Sequence, residues 1–151
     1  MEKIHQHIDI KKFLPHRPPM LLVDDLLYID KKSVTTSFKI NVNCIFVSEN
    51  RFMACGLIEN AAQTCSAIVG QSFFKKNDHN GDSNKVIGFI NHVKNVTINH
   101  LPEAGRCLIS HAELISRLDT GEQTVCKMRC EIKEREQVVS NCEITLLIKS
   151  L

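Results

Sequence analysis

Residues 54–76 read ACGLIENAAQTCSAIVGQSFFKK, a largely apolar stretch without proline, set between shorter segments of a different rhythm. On a 3.6-residue wheel Leu57, Ile58, Ala61, Cys65, Ile68 and Val69 fall on one broad apolar arc, which predicts a helix facing a core. At a rise of roughly 1.5 Å per residue it would run about 35 Å, so much of the remaining chain has to cover it. Glu59, Asn60, Gln63 and Gln71 interrupt the apolar run and argue against a membrane span. Lys75 and Lys76 suit the C-terminal turn, where free carbonyls favour positive charge, and Asn77 can take the left-handed conformation that stops it. Beside the arc lies a narrow stripe of Glu59, Ala62, Gln63, Ser66 and Gly70, which sets a carboxylate and an amide one turn apart among small residues. Chemistry is expected on that stripe.

Upstream of it, Asp9 caps a short helix carrying Ile10, Phe13 and Leu14, which Pro15 ends. His16, Arg17, Pro18 and Pro19 form a turn that leads into an apolar strand over residues 20–29. Residues 33–40 alternate, with Val34, Thr36, Phe38 and Ile40 against Ser33, Thr35, Ser37 and Lys39, and form a hairpin with the preceding strand. Residues 41–53 have no clear period. Downstream of the helix, residues 76–85 (KNDHNGDSNK) predict an exposed, mobile loop with His79 in solvent. Residues 86–98 form a strand with polar residues on both faces. In residues 107–118, Leu108, Ala112, Leu114 and Leu118 share the face opposite His111, Glu113 and Arg117, and Asp119-Thr120-Gly121 makes a hairpin turn. Cys126, Met128, Cys130 and Ile132 then alternate with charged residues, and Val138, Cys142, Ile144, Leu146 and Ile148 are the inward face of a closing strand. The predicted order is short helix, two strands, long helix, four strands.

A chain of 151 residues is read as one domain spanning residues 1–151, large enough to bury a core without disulfides or metal. With 43% hydrophobic and 24% charged residues it fits neither a disordered nor a collagenous class. A formal charge of +2, spread without an arginine-rich run, disfavours nucleic acid as a partner. Residues 1–12 lack an apolar core of signal-peptide length, which predicts a cytoplasmic protein. Its seven cysteines are then free thiols, an odd number that also argues against a closed disulfide framework. No close pair of Cys or His ligands is matched by another pair, so neither zinc nor any other cofactor is expected. Cys55 reads as a small core residue rather than an activated thiol, and His92, His100 and His111 as surface imidazoles.

Two stretches carry a family resemblance. Leu14-Pro15-His16-Arg17-Pro18-Pro19-Met20-Leu21-Leu22-Val23-Asp24 and Gly56-Leu57-Ile58-Glu59-Asn60-Ala61-Ala62-Gln63 resemble the LPHRxPxLLVD and GxxxEAMAQ motifs of the beta-hydroxyacyl-acyl carrier protein dehydratases. The resemblance covers nearly the whole chain and implies an α+β hotdog fold, in which a curved antiparallel sheet wraps a long central helix. It also implies an obligate dimer with an acyl-thioester tunnel at its interface. In that family an acidic residue on the helix faces a histidine from the other subunit, supplied by a Gly-His-Phe-Pro-Gly segment before the helix. Glu59 matches the acidic position, but residues 41–55 (NVNCIFVSENRFMAC) hold no histidine, glycine or proline. In this the chain resembles the shortened dehydratase-like proteins of aryl-polyene and flexirubin-type pigment pathways.

Removing water from a 3-hydroxyacyl thioester needs a base for the α-proton, an acid for the departing hydroxyl and a donor to the thioester carbonyl. By the resemblance, Glu59 takes one proton-transfer role and His16 the other, while Gln63, Gly56 and Ser66 are expected to contact substrate. On spacing alone a single glutamate on an amphipathic helix is more often a solvated edge residue, a histidine beside prolines is as often a turn residue, and Gln63 either orients Glu59 or caps the stripe. Two functions follow. The chain is either a (3R)-3-hydroxyacyl-acyl carrier protein dehydratase, or a catalytically impaired hotdog subunit that binds an acyl thioester or acyl carrier protein beside an active partner. A hotdog thioesterase, using the same carboxylate to activate water, is a third reading.

Overall fold

The computed structural model describes residues 8–70 and 86–150. After β1 (Ile8–Asp9) comes a single 3-10 turn (Ile10–Lys12), capped by Asp9, whose Oδ1 accepts from the Lys11 amide at 3.0 Å. The predicted short helix is thus one turn long. β2 (Asp25–Ile29) and β3 (Ser33–Lys39) form the expected hairpin. The aperiodic residues before the helix hold a small hairpin of β4 (Val47–Ser48) and β5 (Arg51–Phe52), whose two loop residues, Glu49 and Asn50, have φ of 50° and 61°. Positive φ at both loop residues is what a tight two-residue turn requires. α1 (Ala54–Gly70) follows, and the chain then returns as four long strands: β6 (Val86–Ile98), β7 (Cys107–Asp119), β8 (Thr124–Glu134) and β9 (Gln137–Ser150). The last six residues of the predicted helix and the predicted loop with His79 lie outside the described residues.

Seven strands make one antiparallel sheet in the order β1-β2-β3-β7-β8-β9-β6, and α1 packs on it against β3, β7, β8 and β9. This is the hotdog arrangement. Leu57, Ala61 and Cys65 are fully buried against the inward residues of those strands, among them Val34, Leu108, Met128 and Ile144. Each such aliphatic side chain contributes about 1.5–3 kcal/mol relative to exposure. The polar residues on the inner face are paired, as between the hydroxyls of Thr36 and Thr64 at 2.8 Å. Among the described residues no helix is long and apolar enough to cross a membrane.

Three expectations change. Of the apolar run 20–29 only Asp25–Ile29 is strand. Its first residues satisfy their backbone elsewhere: the Leu22 amide donates to Gln63 Oε1 at 2.8 Å, the Leu22 carbonyl accepts from Asn60 Nδ2 at 2.7 Å, and the Met20 carbonyl accepts from Gln63 Nε2 at 2.7 Å. Side chains of α1 stand where a neighbouring strand would be. Leu118 does not share the face of Leu108 and Ala112 but is exposed, because the β7–β8 register shifts between Leu114 and Ser116. One extra residue swaps every later side chain to the other face, so Arg117 comes opposite the buried Cys126. A similar shift after Ile132 turns Val139, rather than Val138, into the core.

Candidate active site

The helical period of α1 puts Glu59, Ala62, Gln63, Ser66 and Gly70 in one line, and all five border a cavity of about 480 Å³. Phe13, Leu14, Pro15 and His16 close one side, while residues 87–90 of β6 and Leu146 and Ile148 of β9 form the others. His16 reaches this place because its turn is held from within and from below. Arg17 Nη1 donates to the carbonyls of Leu14 and His16 at 2.9 and 2.8 Å, and the Met20 amide donates to the Arg17 carbonyl at 2.9 Å. The backbone just beyond is then fastened to Asn60 and Gln63.

His16 Nε2 lies 3.8 Å from Glu59 Oε1, beyond a direct hydrogen bond and within ion-pair reach. Gln63 Nε2 donates to the same oxygen at 2.9 Å. Burial pushes the imidazole of His16 below the usual histidine range; the Glu59 carboxylate opposes this and the Arg17 guanidinium adds to it. The Nδ1 atom of His16 is buried and has no hydrogen-bond partner among the described residues. A half-buried imidazole and a half-buried carboxylate, facing each other at the wall of an apolar hollow, are equipped to take one proton and give another.

Glu59, His16, Gln63 and Ser66 are therefore brought together. The Ser66 hydroxyl donates to the Ala62 carbonyl at 2.8 Å, which bonds it back to its own helix. Gly56 lies outside the cavity lining, and a Cβ built there would stand 2.7 Å from the ring of Phe52 and 2.8 Å from Phe46 Cβ. What the chain needs at Gly56 is close approach to the β4–β5 hairpin. Cys55 is exposed rather than a core residue, because it sits in the first turn of α1 on the side away from the sheet. His100 is engaged with Glu134 at 3.3 Å and His111 with Thr35 at 2.9 Å; neither lines the cavity. The sequence reading missed Asn60 and the β6 wall. Asn60 was detectable, since it follows Leu57 by three residues and precedes Thr64 by four, on the buried face, where an amide demands partners. Among the described residues no group of three or more His, Cys, Asp or Glu side chains is arranged to hold a metal ion.

With this geometry in hand, the relatives can be placed. The sequence model of the ApeP-like family, the ApeP dehydratases, matches residues 8–149. The chain belongs to that family. A search of the curated proteins found no match. Among solved structures, this ApeP-like chain is similar to the dehydratase heterocomplex ApeI:P from Xenorhabdus doucetiae, with 15% identity over 93% of this chain and 91% of that one and a TM-score of 0.75. It is also similar to a hypothetical thioesterase with coenzyme A from Streptococcus pneumoniae TIGR4, with 12% identity, 83% and 84% of the two chains covered and a TM-score of 0.61. The protein Cj0977 from Campylobacter jejuni, a sigma28-regulated virulence protein, shares 12% identity over 91% of this chain and 81% of its own, with a TM-score of 0.62. These structures share the fold.

Proposed function

We propose that this chain removes water from a (3R)-3-hydroxyacyl thioester carried on an acyl carrier protein, giving the trans-2-enoyl thioester. The observation behind the reading is the pairing of His16 with Glu59, in one chain, at the wall of a mostly apolar cavity. Burial favours a neutral imidazole, which suits His16 to accept the α-proton. The electron pair of the broken C–H bond forms the double bond, the β-carbon–oxygen bond breaks, and the hydroxyl leaves as water with a proton from Glu59. The imidazolium and the carboxylate left behind face each other at 3.8 Å, close enough for one water to carry the proton back. Ala62, Ser66 and Gly70, with the aliphatic residues of β6 and β9, then offer the acyl chain its wall.

Kinetics test this directly. Purified protein is assayed for dehydration of 3-hydroxyacyl thioesters and for hydration of crotonyl-type thioesters. Glu59→Gln and His16→Ala each lower turnover by roughly a hundredfold or more. Unchanged rates in both variants refute the assignment, and release of the free acid in place of the enoyl thioester indicates a thioesterase.

A second reading is favoured by residues 41–55, which carry no histidine. In it the chain is the acyl-binding or carrier-binding partner of an active hotdog dehydratase, and the likeness to one chain of the ApeI:P heterocomplex agrees with such a role. A wild type that is inactive alone and active once mixed with a second hotdog chain selects this reading.

A further inference from the structure

Gln63 is 1% exposed, and both N–H donors of its amide and one lone pair of its oxygen are used. The Leu22 backbone N–H can only donate, so the amide oxygen must face it, as it does at 2.8 Å. The NH₂ group then has the Met20 carbonyl at 2.7 Å and Glu59 Oε1 at 2.9 Å. A flipped amide would set donor against donor at Leu22 and oxygen against oxygen at the other two positions, so the orientation is not free. Glu59 Oε1 is thereby obliged to accept. The same logic holds for Asn60, whose Nδ2 donates to the Leu22 carbonyl at 2.7 Å and whose Oδ1 accepts from the Ser110 hydroxyl at 2.6 Å. Both backbone groups of Leu22 are thus gripped by helix amides, six residues after His16.

We infer that Gln63 is a positioning residue: it reserves Glu59 Oε1 as an acceptor, leaves Oε2 as the oxygen that carries the proton, and sets the spacing of Glu59 from His16. The kinetic consequence rests on the dehydratase reading; the geometric one does not. Among the described residues, the titratable and charged groups that face Glu59 and Gln63 are His16 and Arg17 on the turn. Among the described residues, β6 and β9 bring only apolar residues and Gly88 to the cavity, and β7 brings Ser110 to Asn60.

The experiment compares Gln63→Glu with Gln63→Met. In Gln63→Glu one oxygen still accepts from Leu22, but the other faces the Met20 carbonyl and Glu59 Oε1, three acceptors together, until the carboxyl pair takes up a shared proton. Its turnover is expected to fall at least tenfold at pH 8 and to recover, relative to wild type, as the pH is lowered to 6. Gln63→Met has no proton to regain and stays low throughout. In the unliganded protein, NMR titration of the His16 ring is expected to show a displaced midpoint in both variants. Wild-type turnover in Gln63→Met, or a His16 midpoint unchanged in both variants, overturns the inference. If the wild type turns over no hydroxyacyl thioester, the dehydratase reading fails and the His16 midpoint alone decides: displacement supports the inference, superposition overturns it. Gln63→Glu has nearly the shape of the native side chain, so it keeps the test open should Gln63→Met fail to fold.

Discussion

Burial keeps the ring of His16 neutral to a lower pH than a solvated histidine, and this has two readable consequences. In the proposed role of base it would fail only when the pH falls through its lowered value, so the acid limb of kcat/KM for dehydration should lie below about 6.5, the ordinary histidine value. A pH–rate profile checks it. The unfolded chain takes up the His16 proton at higher pH than the folded one, so in that window stability should rise with pH, and the slope should shrink in His16→Ala when denaturation is followed from pH 5 to 8. Gly56 makes a different residue-scale prediction. Gly56→Ala drives a methyl group against Phe52 and Phe46, and the overpacking should cost about 1–3 kcal/mol, read as a lowered Tm with the cavity chemistry intact.

Among the elements, β8 and β9 carry Cys126, Cys130 and Cys142 on their buried face, and Cys130 lies beside Cys65 of α1. Desolvation raises the Cys142 thiol to about 12, and the neighbouring Cys65 raises Cys130 well above the usual thiol range. A thiol reagent should therefore label Cys55 and Cys107 in the native protein and leave these four untouched until it is unfolded, as mass spectrometry would show. Labelling of Cys130 or Cys142 at the native rate of Cys55 would contradict this packing. The elements also show what local pattern can and cannot carry. The stripe from Glu59 to Gly70 follows from helical period alone, and it is the stripe that borders the cavity. Leu118 and Val138 follow strand period equally well and are misplaced by it, because a bulge is decided by pairing with another strand and leaves no mark in the alternation. The approach of His16 to Glu59 came from the family resemblance. Its physical cause, Asn60 and Gln63 holding Leu22 across some forty residues of chain, has no local signature.

For the whole molecule, the free edge of the sheet matters most. β6 has β9 on one side and, among the described residues, no strand on the other, and Phe89, Ile90 and Val96 are exposed along it. A long unpaired edge that exposes apolar side chains among polar ones invites pairing. We expect light scattering to find a species of about twice the 17.1 kDa chain mass, or a complex with a second hotdog chain, and a stable monomer would rule this out. Val96→Lys, which charges the edge away from the cavity, should weaken the association.

Residues 87–90 of that strand are at once an outer rim of the sheet and one side of the hollow beside Glu59. In the proposed dehydratase, a chain docked along the rim would fix the backbone there, and with it the width available to the acyl group. Exchanging one docked chain for another would then retune substrate selection with no change in this sequence, and that choice would belong to the assembled pair as much as to the single chain.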